Sequence, residues 1–362
     1  MKYRNLLHIG ILAFSLSACM IGKVANSVTT TRISQGAPQP QNTILYALPK
    51  TVFNVEVEME KTTIKAGPFK NYTYRYLNID NAPQQDTTIY KLKAIKVTSQ
   101  GVADKTKQFA INAKGDAAAQ FINLSADGVL IGINDTQKTG TSQPLEYKPL
   151  ETPNLSFDSI PLLEKHLKAT SEAMMAEAVA NHIYKLRKRQ LKLAGYEYEH
   201  HPNDAATLKL TLDQLKKEEI EFTQLFIGKQ TSQTITKNYT ITPTRESEIE
   251  VELFRFSDTY GLLNAQEAKG EPIYFSYSPI KDNSLKPTTD FVDESTIGIY
   301  YCNPAEVELK LLDISETLFQ GRFKVAQLGT LRSLPNTLLA QPFTIIKLDP
   351  ATGSLVEISK SK

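Results

Sequence analysis

The chain contains no tryptophan, only two cysteines in 362 residues, and almost no excess of charge, with 41 Lys and Arg against 39 Asp and Glu. Each shortage removes a class of function. Without tryptophan, any broad aromatic platform for a sugar has to be built from tyrosine or phenylalanine, which weakens the case for a carbohydrate site. Two cysteines, Cys19 and Cys302, rule out a disulfide framework. A nucleic-acid binder carries a basic surplus to neutralise phosphates, and none is present, so nucleic acid is not an expected partner. G-x-S-x-G, the P-loop, the dinucleotide fingerprint and H-E-x-x-H are all missing, so the common nucleophile, nucleotide and zinc motifs contribute nothing.

What is present describes a folded body behind an export signal. Hydrophobic residues make up 41% of the chain and charged residues 22%, enough to build a core and keep it in water. A single core rarely grows past roughly 250–300 residues, so two packed units are expected.

Lys2 and Arg4 precede an apolar stretch from Leu6 to Leu16, and small residues follow. This is the layout of a signal peptide, and the stretch is well short of the about 20 residues that a spanning helix needs. It ends in Leu16-Ser17-Ala18-Cys19, which resembles the bacterial lipobox. The resemblance implies cleavage between Ala18 and Cys19 and a multiply acylated Cys19, palmitate included, whose chains make a stable membrane anchor. Removing residues 1–18 takes away Lys2 and Arg4 and leaves 39 cations and 39 anions. Met20 instead of Asp after the cysteine argues against retention at the inner membrane. Met20-Ile21-Gly22-Lys23-Val24 lacks the acids of surface-exported lipoproteins, so the periplasmic face of the outer membrane is expected. The polar residues from Lys23 to Thr43 read as a tether.

The body reads as strands, then helices, then strands. Val52, Val55 and Val57 start a β-rich stretch that Gly67-Pro68 breaks. Tyr72, Tyr74 and Tyr76 then form an aromatic cluster expected to pack on a sheet, before strand candidates at Ile89 to Thr98 and Gln108 to Ala113. One turn pattern recurs at Ser125 to Gly128, Ser257 to Gly261 and Asp349 to Gly353, each between apolar residues. It predicts three hairpins in which Ser or Asp bonds the turn and glycine supplies a positive φ. The first and third close β-rich regions, which points to two related β-units, with independent hairpins as the alternative.

Met175, Val179, Ile183, Leu186 and Leu193 fall on one helix face, and Leu208, Leu212, Leu215, Phe222 and Phe226 on another. The predicted connection runs from Gly195 to Asn203, with Asn203 as N-cap and Gly228 as stop. The first helix is basic at Lys185, Arg187, Lys188, Arg189 and Lys192, and the second acidic at Asp213, Glu218, Glu219 and Glu221, as antiparallel neighbours would be. The basic run reads as a solvated face, with contact to anionic lipid as the alternative.

Tyr46-Ala47-Leu48-Pro49, Gly67-Pro68-Phe69, Ile183-Tyr184-Lys185-Leu186-Arg187, Leu225-Phe226-Ile227-Gly228-Lys229, Leu253-Phe254-Arg255-Phe256-Ser257 and Gly298-Ile299-Tyr300-Tyr301 occur in that order. Together they resemble the family catalogued as domain of unknown function 4831, over about Tyr46 to Ile358. The resemblance implies a bacterial envelope lipoprotein with no catalytic residues to carry over. After the paired tyrosines this chain has Cys302-Asn303-Pro304, where the family has a basic or apolar residue before proline, which weakens any case for a catalytic cysteine.

Few residues invite chemistry. Cys302 ends a strand-like run with no basic neighbour in sequence and is expected to be buried. His200-His201 with Glu197 and Glu199 is the one sequence cluster of metal-ligand types, yet its spacing fits no metal motif. Asp290-Phe291-Val292-Asp293-Glu294 lacks the alternating oxygens and glycine of a calcium loop. No metal or cofactor is therefore expected.

The expected fold is α+β and mostly β, with two antiparallel, sandwich-like units and an inserted helical hairpin. The boundaries are 1–18 for the signal, 19–45 for the lipidated cysteine and tether, 46–155 for the first unit, 156–230 for the hairpin and 231–362 for the second unit. The expected role is a binding or structural module for a protein or glycan, held to the membrane through Cys19. A hydrolase of envelope glycan or peptide is the alternative.

Overall fold

Between Ile44 and Lys65 the chain alternates so that Phe53, Val55, Val57 and Met59 are buried while Asn54, Glu56 and Glu58 are only partly covered. That period of two is what a strand covered on one face requires. The computed structural model describes residues 27–33, 43–114, 122–135, 155–195, 204–244, 249–280, 295–339, 341 and 344–360. Their elements begin with β1 (Ser27–Ile33), β2 (Ile44–Lys65), a 3₁₀ turn (Lys70–Tyr72), α1 (Thr73–Leu77), β3 (Thr87–Lys114), β4 (Ile122–Leu124) and β5 (Leu130–Ile133). The helices α2 (Glu164–Leu167), α3 (Glu172–Ala194) and α4 (Ala205–Ile227) follow. The chain continues through β6 (Lys229–Ile241), β7 (Ile249–Ser257), β8 (Gly261–Leu263), β9 (Glu271–Pro279), β10 (Ser295–Ile297), β11 (Ile299–Leu312) and β12 (Thr317–Leu334). It ends with α5 (Asn336–Leu339), β13 (Thr344–Leu348) and β14 (Leu355–Lys360).

The fold is α+β and mostly β, built from antiparallel sheets. The first has the order β10-β1-β3-β2-β6, the second β12-β11-β9-β7-β8, and a smaller third β14-β13-β5-β4. The first two face each other. Phe53, Val55 and Val57 of β2 meet Phe254, Phe275, Val307 and Leu309 there, and the Phe53 ring lies 5.2 Å from Phe323 and 5.9 Å from Phe275. Burying one such phenylalanine contributes about 1.5–3 kcal/mol. A second core joins Tyr46, Phe109 and Ile111 of the first sheet to Ile133, Ile346 and Leu348 of the third and to Ile299 and Tyr300 of β11.

The sheets cut across the sequence. β6 and β10 complete the sheet that β1, β2 and β3 begin, and β13 pairs with β5. The first and third turn patterns accordingly belong to one sheet rather than closing separate units. All three do form hairpins with glycine at positive φ, +85° at Gly128, +76° at Gly261 and +68° at Gly353.

Two of these turns seat on a defect in the first sheet. Pro49 has no N–H for a ladder bond, and the β2–β3 pairing jumps from Ala47 with Gln108 to Pro49 with Ala103, so residues 104–107 bulge. The two strand candidates expected within 89–113 are therefore one bulged strand. The Gly128 carbonyl accepts from the Ala47 amide at 2.9 Å, and Asp127 accepts from the Ala103 amide at 3.0 Å. On the other turn, a Cβ at Gly353 would lie 2.8 Å from the Pro49 ring.

The aromatic cluster after Gly67-Pro68 forms a 3₁₀ turn and one turn of helix rather than a strand neighbour. Tyr72 and Tyr76 pack on the helical core and Tyr74 stays exposed, because the chain leaves the sheet at Pro68 and turns onto α3 and α4.

Candidate functional site

The helices meet the sheets where β2 ends and β6 begins. Gly228, at φ +82°, stops α4 and lets the chain enter β6 beside Lys65. Gly67 allows a close approach, and the Phe69 amide donates to the Leu225 carbonyl at 2.8 Å while Thr73 Oγ1 donates to the Phe226 carbonyl at 3.2 Å. Phe69, Val179, Ile183, Leu186, Phe222 and Phe226 form the buried core of this layer.

α3 and α4 run antiparallel, and the opposite charges meet as expected. Arg187 Nε donates to Glu219 Oε1 at 2.6 Å, Gln190 Nε2 donates to Glu219 Oε2 at 3.1 Å, and His182 Nε2 lies 2.9 Å from Glu218 Oε1. The N-cap of α4 is Asp204, which accepts from the Thr207 amide at 2.7 Å, rather than Asn203. The expected apolar stripe is buried only toward its C-terminal end. Phe222, Leu225 and Phe226 are covered, whereas Leu208, Leu212 and Leu215 are half-buried. The core lies where β2 and α1 close over the helices, and the far ends extend beyond that cover. There they leave a groove of about 520 Å³ with Leu212 and Ala194 between Arg187, Asp213, Lys216 and Glu219. An apolar strip bounded by both signs of charge suits a mixed polar and apolar ligand.

At the other end of the interface two histidines come together that no sequence spacing linked. His166 of α2 and His182 of α3 lie 5.7 Å apart ring to ring, and both stand edge-on to Phe222, at 5.7 and 4.7 Å. His166 is fully buried, and its Nδ1 accepts from the Leu163 amide at 3.1 Å, which places the proton of the neutral ring on Nε2. That Nε2 is buried without a hydrogen bond of normal geometry, although the backbone of Ala178 favours the protonated ring. Burial, and then the nearby charges of Lys165 and His182, pull the His166 pKa down to about 4. The ring is thus an uncharged packing group at neutral pH. Pairing with α3 brought it to the site, a tertiary contact that neither segment records.

Cys302 is buried as expected, 2% exposed, and burial pushes its thiol up to about 11. Such a thiol holds its proton at neutral pH and is a poor nucleophile. Ala18, Cys19, His200-His201 with Glu197 and Glu199, and the acidic run Asp290 to Glu294 lie outside the described residues. Among the described residues, no three His, Cys, Asp or Glu side chains gather in a metal-holding group, and no helix is long and apolar enough to cross a membrane.

The motifs of the resemblance meet in these contacts. Gly67-Pro68-Phe69 seats on Leu225 to Gly228, and Tyr46 on Tyr300, so these motifs hold sheet to helix and sheet to sheet. A family model described as Domain of unknown function (DUF4831) matches residues 42–356. The chain belongs to this family, and its own fold is α+β and mostly β. No curated protein and no solved structure matches it.

Proposed function

We propose that the chain is a bacterial cell-envelope lipoprotein, tethered by acyl chains on Cys19 to the periplasmic face of the outer membrane, whose folded body is a binding or structural module. The observation that carries this reading is Leu16-Ser17-Ala18-Cys19 at the end of a basic and then apolar leader. The groove between the far ends of α3 and α4 is the ligand surface this reading favours. Of the two buried groups that invite chemistry, the Cys302 thiol holds its proton near neutral pH and so offers no ready nucleophile.

The test is metabolic labelling with a palmitate analogue, followed by detergent partition of wild type and Cys19→Ala. Label on the wild type alone, with Cys19→Ala either uncleaved or released from the detergent phase, is the expected result. A mature-sized Cys19→Ala protein that still enters the detergent phase would sink the reading.

A further inference from the structure

Residues 181–194 of α3 carry five Lys and Arg and no acid. Arg187 turns toward α4 and is paired with Glu219, whereas Lys185, Lys188 and Arg189 are exposed. Helical spacing places these three on the outer half of α3, away from Ile183 and Leu186. α2 packs against this half and adds Lys165, whose ammonium pKa is lowered by burial and then by the charges of Lys185 and Arg189. Four cations thus share one face. The acids near it are few: Glu164 of α2 is paired with Lys168, and Glu177 of α3 is about three turns from Lys188.

The exposed apolar groups of this stretch lie elsewhere on α3. Leu191 is in the wall of the groove beside Arg187 and Ala194, and the Tyr184 hydroxyl donates to the Tyr76 carbonyl at 2.7 Å. A helix face of lysine and arginine with few acids near it is one that anionic headgroups attract.

We propose that the α2–α3 face rests on a membrane surface of anionic phospholipid, with Lys165, Lys185, Lys188 and Arg189 on headgroup phosphates. The proposal takes its setting from the lipoprotein reading, which holds the body close to a bilayer. Each cation near an anionic surface contributes about 1 kcal/mol. This is small beside a multiply acylated anchor, so the face orients the body and leaves the groove between α3 and α4 accessible from one side.

The experiment uses the lipid-free chain beginning at residue 20, which keeps every described element, and sedimentation with vesicles of phosphatidylethanolamine alone or mixed with phosphatidylglycerol. Binding to the mixed vesicles only, lost at high salt, is expected. The triple variant Lys185→Gln, Lys188→Gln, Arg189→Gln should bind roughly a hundredfold more weakly, as three lost contributions of about 1 kcal/mol imply. Neutralising the exposed sheet lysines Lys91, Lys96 and Lys324 should change binding by less than about threefold, which separates this face from overall charge. Equal binding to both vesicle types, binding to neither, or equal losses in the two triple variants would overturn the proposal. Because no acyl chain is present, those outcomes leave the Cys19 reading untouched.

Discussion

Tyr46 and Tyr300, 254 positions apart, are joined twice: the Tyr46 hydroxyl accepts from the Tyr300 amide at 3.0 Å and donates to the Tyr300 carbonyl at 3.3 Å. Both residues are buried, and the Phe109 ring lies 5.5 Å from Tyr46 and 5.0 Å from Tyr300. Burial drives the Tyr46 hydroxyl pKa far above its ordinary value, so the group stays protonated and able to donate. Tyr46→Phe keeps the ring and removes only the hydroxyl. It should cost about 1–3 kcal/mol in urea unfolding, the penalty for withdrawing a partner from buried polar groups. A loss of less than about 0.5 kcal/mol would show that the two bonds add nothing beyond ring packing.

Acid should weaken the helical layer before the sheets. The folded-state pKa of His166 is depressed from 6.5 to about 4, so the unfolded chain binds its proton first as pH falls. The stability contributed by the neutral ring is complete above pH 6.5 and is lost progressively as pH falls toward 4. Between pH 7 and pH 5 this amounts to about 2 kcal/mol. Carboxylates with lowered pKa values, among them Asp127 and Asp204, add losses of the same sign at lower pH. The comparison is therefore with His166→Phe, whose stability should be flatter between pH 7 and pH 5. Parallel pH profiles for the two proteins would remove His166 as the cause.

The two turns on the Pro49 defect should respond differently to the same substitution. Gly128 has positive φ but open space around a would-be Cβ, so Gly128→Ala should cost about 1 kcal/mol from backbone strain alone. At Gly353 the Cβ would also lie 2.8 Å from the Pro49 ring and 3.4 Å from Cys302. Overpacking adds about 1–3 kcal/mol, so Gly353→Ala should be the more damaging change. Equal thermal shifts for the two variants would show that the turn is free to move off β2.

Along α4 the cost of truncation should rise toward the C-terminus. Phe222 is 1% exposed, and Phe222→Ala should cost about 3–5 kcal/mol. Leu212 is half-buried at the groove, and Leu212→Ala should cost less than about 1 kcal/mol. This reverses the expectation from helical spacing alone, which gives both residues equal standing. Similar losses at the two sites would mean that the groove is filled in solution.

Local rules were enough to determine several elements of this protein, though not the continuity of the bulged β3 or the short helices α1 and α2. Alternation in 52–59, the stripe of α3, the stop at Gly228 and the positive φ of Gly128, Gly261 and Gly353 all depend on neighbours within a few residues, and the sequence displays those neighbours directly. The burial of Cys302 was legible for the same reason, from an apolar run around it. Only the tertiary structure decided which strands share a sheet. β2 takes β6 as its neighbour and β5 takes β13 because edges pair where the cores bring them together, and pairing carries no mark of sequence distance. The joining of His166 to His182, and the half-exposed state of Leu212, were settled in the same way. A helical period says which side of α4 is apolar, but how far along that side the rest of the molecule reaches is fixed by where β2, α1 and α2 end.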